Sequence, residues 1–196
     1  MKTNQTSKAR YYLAYGSNLN LEQMRGRCPH AKKVGTAVIN DYRLVFKGVD
    51  GNCHLTIVPI LLEEVPVGVF AVNEEDEASL DDYEGYPSYY YKQDFEVTLE
   101  NGTKINGFAY IMVDRKEWQT GFPSNRYYGI VKQGYKNFGF DQKLITEALE
   151  RSVARFGNLG WVTKVVDGRL MGFPMTAEQA LRLRGRHLCT AGEEEI

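Results

Sequence analysis

The sequence predicts an α+β domain, a small mixed or antiparallel, barrel-like sheet with a few helices. Three observations carry that reading. Runs rich in Val, Ile, Leu and aromatic residues, which fit a pleated surface, recur between residues 11 and 113. Short polar turns, Asp50-Gly51-Asn52 and Asn101-Gly102, join several of these runs as hairpins. Helical patterns are few, so the regular strand–helix alternation of a doubly wound parallel sheet is missing.

Taken in order, the first strand, Tyr11 to Ala14, runs into Tyr15-Gly16-Ser17-Asn18. Gly, Ser and Asn continue neither strand nor helix well, so this junction exposes consecutive backbone N–H groups that no ladder uses. Such donors can hold an anion or a developing oxyanion. Leu21, Met24 and the span to Arg27 fit a short helix ended by Cys28-Pro29. Residues 34–47 and 53–60 read as strands flanking the first turn, and Val67 to Val72 as a separate buried strand. Asn73 then caps an acidic helix through Glu74, Glu75, Asp76 and Glu77 toward Asp82, stopped at Glu84-Gly85-Tyr86-Pro87. Residues 90–99 and 104–113 form a hairpin around Asn101-Gly102, a type I′ signal. Pro123 to Tyr128 reads as a polar turn, either a rim of the site or a plain loop. Asp141 caps a helix with Leu144, Ile145, Ala148, Leu149 and Val153 on one face, closed by Gly157.

Past Asn158 the character changes. Trp161 to Val166 with Asp167-Gly168 reads as a short hairpin, and Thr176 with Gln179 as a capping box for a helix through Arg184. The domain reading is a disordered leader over 1–10, a single domain over 11–157, and a C-terminal appendage over 158–196 with a frayed end. That appendage could serve as a lid, a dimer contact or a packing strap.

Bulk properties exclude some classes. A chain of 196 residues with 43% hydrophobic and 25% charged residues is ordinary for a soluble enzyme. Its net charge of −1 offers no electrostatic case for nucleic acid, and no apolar run of about 18 residues is present to span a membrane. The three cysteines, Cys28, Cys53 and Cys189, are odd in number and widely spaced, which points to a reducing compartment, the cytoplasm. Cys28-x-His30 and Cys53-His54 lack the paired spacing of a zinc site, so neither a metal nor a cofactor is expected.

Glu84 is the carboxylate that stands out. It sits where the chain turns sharply, among Tyr83, Tyr86, Tyr89, Tyr90 and Tyr91. Aromatic surroundings raise a carboxyl pKa by desolvation, which suits a proton carrier. The plain alternative is one more solvated acid of an acidic helix. Ser17 is no nucleophile by pattern: Gly16-Ser17-Asn18 is not a nucleophile elbow, and no histidine has an evident partnering context. Strand alternation sets Tyr90 opposite Tyr89 and Tyr91, so which of them faces a pocket stays open. Arg182, Arg184 and Arg186 read as a solvated helix face.

Four ordered blocks over residues 11–145 give the chain a family resemblance. They are Tyr15-Gly16-Ser17-Asn18-Leu19 with Met24 and Arg27-Cys28-Pro29; Ala37 through Asp41-Tyr42-Arg43-Leu44-Val45-Phe46; Leu80 to Pro87 with Tyr90; and Pro123-Ser124 to Tyr127, Ile130, Gly134 and Gly139. In these the chain resembles the γ-glutamylcyclotransferase family. The resemblance implies a small barrel-like fold with a cleft at the end of the first strand. It also implies cyclisation of a γ-glutamyl group to 5-oxoproline with release of the attached amine. Glu84 would be the general acid/base, Tyr15, Gly16, Ser17, Asn18 and Leu19 would bind the substrate and its oxyanion, and Tyr90 and Tyr127 would line the pocket. The implied partner is a small γ-glutamyl substrate, and a homodimer follows by analogy alone. Two alternatives remain in view: a cyclotransferase dedicated to a biosynthetic γ-glutamyl intermediate, and a non-catalytic metabolite-binding module.

Overall fold

The computed structural model describes residues 10–157, 159–166 and 169–190. Strand β1 (Arg10–Ala14) lies at the centre of the sheet. It pairs antiparallel with β3 (His54–Val72) and parallel with β5 (Lys104–Met112). β3 pairs along its length with β2 (Lys32–Gly48), and β5 pairs with β4 (Tyr90–Thr98). A two-residue strand, β6 (Gln119–Thr120), completes the order β4-β5-β1-β3-β2-β6. The β1–β5 pair is parallel and the others antiparallel, so the sheet is mixed. It also curls back on itself. Tyr42 of β2 accepts a 2.8 Å hydrogen bond from Gln93 of β4 and meets the Phe95 ring edge-on at 5.4 Å, although three strands lie between β2 and β4 in the order.

The curl has a local cause, which also explains why β3 is one strand where the sequence reading had two. Asp41 and Leu62 face each other across the β2–β3 ribbon with φ of 59° and 65°, and the register shifts between Asn40 and Tyr42. The Asp41 carboxylate accepts the Leu62 N–H at 2.9 Å. A bulge of this kind bends a strand without ending it and accommodates nearby prolines, here Pro59 and Pro66. The β4–β5 connection differs from a type I′ turn as well. Leu99 N–H bonds to Thr103 carbonyl at 2.9 Å, and Gly102 but not Asn101 takes a positive φ, of 83°. That leaves a three-residue loop, Glu100 to Gly102, in which the glycine supplies the left-handed residue.

Helices cover one side and one end of the sheet: α1 (Leu21–Arg27), α2 (Glu74–Glu84), α3 (Asn125–Phe138), α4 (Lys143–Val153) and α5 (Ala177–Thr190). Pro123 to Tyr128 is therefore the start of a helix and not a loop. Ser124 caps α3 by accepting the Tyr127 N–H at 3.2 Å. The expected helix after Asp141 is α4, with Ile145, Ala148, Leu149 and Val153 buried. Ser152 fastens it to the sheet, accepting the Phe46 N–H at 2.8 Å and donating to the Ala148 carbonyl at 2.6 Å. β7 (Trp161–Val166) and β8 (Arg169–Pro174) form a separate hairpin. α5 opens on the capping box read from sequence, with Thr176 N–H to Gln179 at 2.9 Å and Gln179 N–H to Thr176 Oγ1 at 3.2 Å. It packs on α3, where Glu178 accepts from Tyr128 Oη at 2.8 Å and from Lys132 Nζ at 3.0 Å. Within the described part of the expected appendage, α5 therefore packs against α3. The leader before Arg10, the Asp167-Gly168 turn and the frayed tail lie outside the described residues. No helix among the described residues is long and apolar enough to cross a membrane.

After β1 a 3-10 turn, Ser17–Leu19, drops into the angle between the sheet and α3. Leu19, wholly buried, fits there because two facing positions are glycines. A Cβ at Gly134 would stand 2.7 Å from both Asn20 N and Leu19 Cβ, and one at Gly68 would stand 2.8 Å from Leu19 Cδ2. Gly134→Ala should therefore push the 3-10 turn away from α3. Overpacking of this sort costs about 1–3 kcal/mol, so thermal denaturation should show a midpoint lowered by roughly 3–10 °C. An unchanged midpoint would show that the turn is held by something else.

Candidate active site

The 3-10 turn presents its first residues to a small cavity at the end of β1. Its own hydrogen bonds begin at Leu19 N–H and Asn20 N–H, which reach Gly16 and Ser17 carbonyls at 3.1 and 3.0 Å. The N–H groups of Gly16, Ser17 and Asn18 are not used by the turn, as the first donors of any helical turn are not. Tyr15, Gly16, Ser17, Asn18, Glu84, Tyr90 and Tyr127 all line this cavity. Leu19, expected with them, does not: its side chain lies in the core behind the turn.

Glu84 reaches the cavity because of where α2 stops. Asp76 and Leu80 are buried, and Glu84 follows at the same four-residue spacing, so it continues the inward face of the helix. Gly85 ends α2 in the left-handed conformation, φ 64°, with its N–H turned back to Asp81 and Asp82 carbonyls. Lys92 of β4 holds the helix in place through Glu77 at 2.5 Å and Asp81 at 2.7 Å.

Inside, Asn18 Nδ2 donates to Glu84 Oε1 and to Tyr12 Oη, both at 2.9 Å, while its Oδ1 accepts from Arg27 Nη1 at 2.5 Å. Arg27 is set in turn by Gln23 at 2.6 Å and lies 3.5 Å from the centre of the Tyr83 ring. Glu84 is half-buried, with its carboxyl set in the lining of the cavity. Its burial pushes it up from 4.5 to about 7, against a smaller downward pull from the Arg27 charge and the Asn18 hydrogen bond. Tyr12, Tyr15, Tyr90 and Tyr127 are all pushed upward by burial and keep their protons at neutral pH. Tyr127 Oη accepts the Leu55 N–H at 3.1 Å, and Tyr15 donates to the Tyr110 carbonyl. The Ser17 hydroxyl lies 3.4 Å from Tyr83 Oη, its side-chain contact among the described residues being with a tyrosine and not with a base.

The structure also decides among the three consecutive tyrosines. Tyr90 turns into the cavity, whereas Tyr89 and Tyr91 are 53% and 41% exposed. Tyr12, Arg27 and Tyr110 belong to the site or its support and were given no role there by the sequence reading, which placed Tyr83 only among the aromatic neighbours of Glu84. Arg27 was visible as the end of a short helix and as part of the first block of the resemblance, but nothing local shows that the helix returns that end to Asn18. Of the two Cys-His pairs, Cys53 is buried below Val49 and Gln119 carbonyls, and Cys28 beside Asp76. His54 stands edge-on to Tyr127 at 4.6 Å, and burial lowers its pKa.

Comparison with known proteins gives concordant results. The family model described as gamma-glutamyl cyclotransferase, AIG2-like, matches residues 12–137. Gamma-glutamylcyclotransferase of Mus musculus is 30% identical over 140 residues, covering 67% of this chain and 73% of that protein. The Homo sapiens protein of the same name is 31% identical over 136 residues, covering 65% and 71%. A solved structure of a gamma-glutamyl cyclotransferase superposes with a TM-score of 0.61 at 27% identity, covering 69% of this chain and 83% of that one.

The upward shift of Glu84 has a consequence for stability. Between pH 4.5 and 7 the folded protein keeps a proton that the unfolded chain gives up. Stability therefore falls with rising pH across that window and levels off above it. Because a unit of pKa is about 1.4 kcal/mol, the loss attributable to Glu84 totals about 3 kcal/mol. Glu84→Gln removes the titration. Urea unfolding of both proteins at pH 4.5 and pH 8 should show the variant gaining on the wild type at the higher pH, and parallel pH curves would contradict the assignment.

Proposed function

This chain belongs to the gamma-glutamyl cyclotransferase, AIG2-like family, and from that premise we propose that it cyclises the γ-glutamyl group of a γ-glutamyl amide to 5-oxoproline and releases the attached amine. One observation carries the assignment of roles. The Glu84 carboxyl, which burial poises near neutral pH, lines the same cavity as Gly16, Ser17 and Asn18, whose backbone N–H groups the 3-10 turn leaves unused.

The substrate brings its own nucleophile, its α-amino group, which is protonated near pH 7. Glu84 as carboxylate takes a proton from that group, and the nitrogen lone pair attacks the γ-carbonyl carbon to close a five-membered ring. The carbonyl oxygen becomes an oxyanion held by the backbone N–H groups of Gly16, Ser17 and Asn18. Protonated Glu84 then returns its proton to the departing nitrogen as the oxyanion collapses and the original C–N bond breaks. The ring nitrogen, which carries two hydrogens after attack, gives one to the regenerated Glu84 carboxylate, and from there it passes to the released amine, leaving the neutral lactam. Attack within one molecule supplies the effective concentration that an enzyme nucleophile would otherwise provide, so the site needs no serine or cysteine in that role. Tyr90 and Tyr127, both un-ionised, orient the substrate as pocket walls that can also hydrogen-bond. A pure binding module would have little use for a carboxyl that burial destabilises. Cys28 and Cys53, both buried and unpaired, favour a cytoplasmic setting.

Glu84→Gln should lower kcat for 5-oxoproline release by about 10²–10⁴-fold while substrate still binds. Ser17→Ala should stay within a few-fold of wild type, since its backbone and not its hydroxyl is used. The kcat/KM profile should rise with pH along a limb near 7. Arg27→Met, which removes a charge that favours the carboxylate, should move that limb upward. Normal turnover by Glu84→Gln would overturn the assignment, and no 5-oxoproline from γ-glutamyl amides would return weight to a binding role.

A further inference from the structure

The cavity around Glu84 does not end at the reacting centre. It opens past Glu84, Tyr90 and Tyr127 into an outer hollow, and from there, along His54, Tyr89 and Tyr90, into a side pocket of roughly 510 Å³. This side pocket has a different character from the inner cavity. Its walls are mainly carbon, from Val49, Met112, Trp118 and Tyr89, and among the described residues it is lined by no Lys, Arg, Asp or Glu. His54 is the titratable group at its mouth, and burial favours its uncharged form.

One wall carries a stacked pair of rings. Tyr89 and Trp118 lie parallel, 5.7 Å apart at 14°. Arg115 braces the pair, with its guanidinium 4.5 Å from the Trp118 centre and 5.1 Å from that of Tyr89, and its Nη2 donating to the Ser88 carbonyl at 2.7 Å. Tyr89 is itself tied down, its N–H to the Gly85 carbonyl at 2.8 Å and its carbonyl to the Val113 N–H at 2.9 Å. The γ-glutamyl half of a substrate is polar and matches the inner cavity. What remains, the departing amine, must extend through the outer hollow. Resting on the cyclisation reading above, the geometry points to a substrate whose departing amine carries an aromatic or bulky apolar, uncharged group, seated in the side pocket against Trp118 and Tyr89.

A series of neutral amides tests this without a change of charge: the γ-glutamyl amides of methylamine, butylamine and phenethylamine, assayed for 5-oxoproline with the full chain. Because one methylene in an apolar pocket is worth about tenfold or more in discrimination, kcat/KM should rise at least about tenfold from the methylamide to the phenethylamide. Trp118→Ala should lower the phenethylamide-to-methylamide ratio by about tenfold, and Trp118→Phe should restore most of it. A flat series, or a Trp118→Ala ratio equal to that of wild type, overturns the side-pocket assignment while cyclisation stands. No 5-oxoproline from any of the three amides overturns the cyclisation reading and this inference with it.

Discussion

The carboxyl of Glu84 is held in protein with an amide, and not a cation, directly against it, and much of the surrounding structure exists to make that arrangement possible. Burial alone would favour the neutral acid. A direct ion pair with arginine would do the reverse and leave a carboxylate too weak to accept a proton. Asn18 stands between these extremes. Its Nδ2 touches Glu84 and its Oδ1 touches Arg27, so the positive charge acts on the carboxyl at one remove. The orientation of the amide follows from the partners. Arginine has only donors, so Oδ1 must face Arg27, and Nδ2 is left for the carboxylate and Tyr12. Arg27 therefore positions a hydrogen-bond donor as well as supplying charge. The balance comes to rest near neutrality because desolvation exceeds both opposing effects.

That balance depends on elements far apart in the chain meeting with little tolerance. Helix α2 has to end at Glu84, and Gly85 ends it by adopting a conformation that other residues resist. Lys92, from a strand at the other side of the α2–β4 turn, pins the helix through two carboxylates that would otherwise repel. The 3-10 turn has to lie close against α3, and Gly134 allows that approach. Gly85, Lys92 and Gly134 do not line the inner cavity, yet each sets where the carboxyl, the amide and the unused N–H groups stand relative to one another.

The parts of this site legible in the sequence are those specified locally. Tyr15 to Asn18 announced a strand end by composition, and Glu84 a helix end. The spacing of Asp76, Leu80 and Glu84 also marks the inward face of α2 without any structure. The capping box at Thr176 and the buried stripe of α4 are local signals of the same kind. What was not legible depends on distant contacts. Tyr12, Tyr110 and Arg27 join the site because β1 pairs with β5, far away in sequence, and because α1 returns its end to Asn18, and neither contact has a local signature. Helix α3 was hidden by its own composition. Gly129 and Gly134 lower its helical propensity, and its polar opening, Ser124-Asn125-Arg126, reads as a loop until the cap is seen. Leu19 shows the opposite error: adjacency in a motif was taken for adjacency to the cavity, whereas its side chain is on the far side of the turn.

The inner cavity and the side pocket are built on different principles, and the difference bears on how such a site diversifies. Glu84, Asn18, Tyr90 and Tyr127 stand on or at the ends of regular elements whose positions the core dictates. The side pocket takes Trp118 and Val49 from connections, the loop after β5 and the β2–β3 turn, where changes in sequence disturb little else. Even so, that turn is not left free. Asp50 within it accepts the Phe122 N–H at 3.1 Å and meets Arg184 of α5 at 3.0 Å, with the Arg184 guanidinium 4.2 Å from the centre of the Phe122 ring. An exposed pair of this kind contributes little to stability, typically about 0–1 kcal/mol, so its effect is on position. Arg184 of α5 thereby contacts the β2–β3 turn that supplies Val49 and Asn52 to the side pocket. A segment that looks peripheral in the chain is in this way coupled to the part of the site where the departing amine would be chosen, while the proton-transfer chemistry stays with the core.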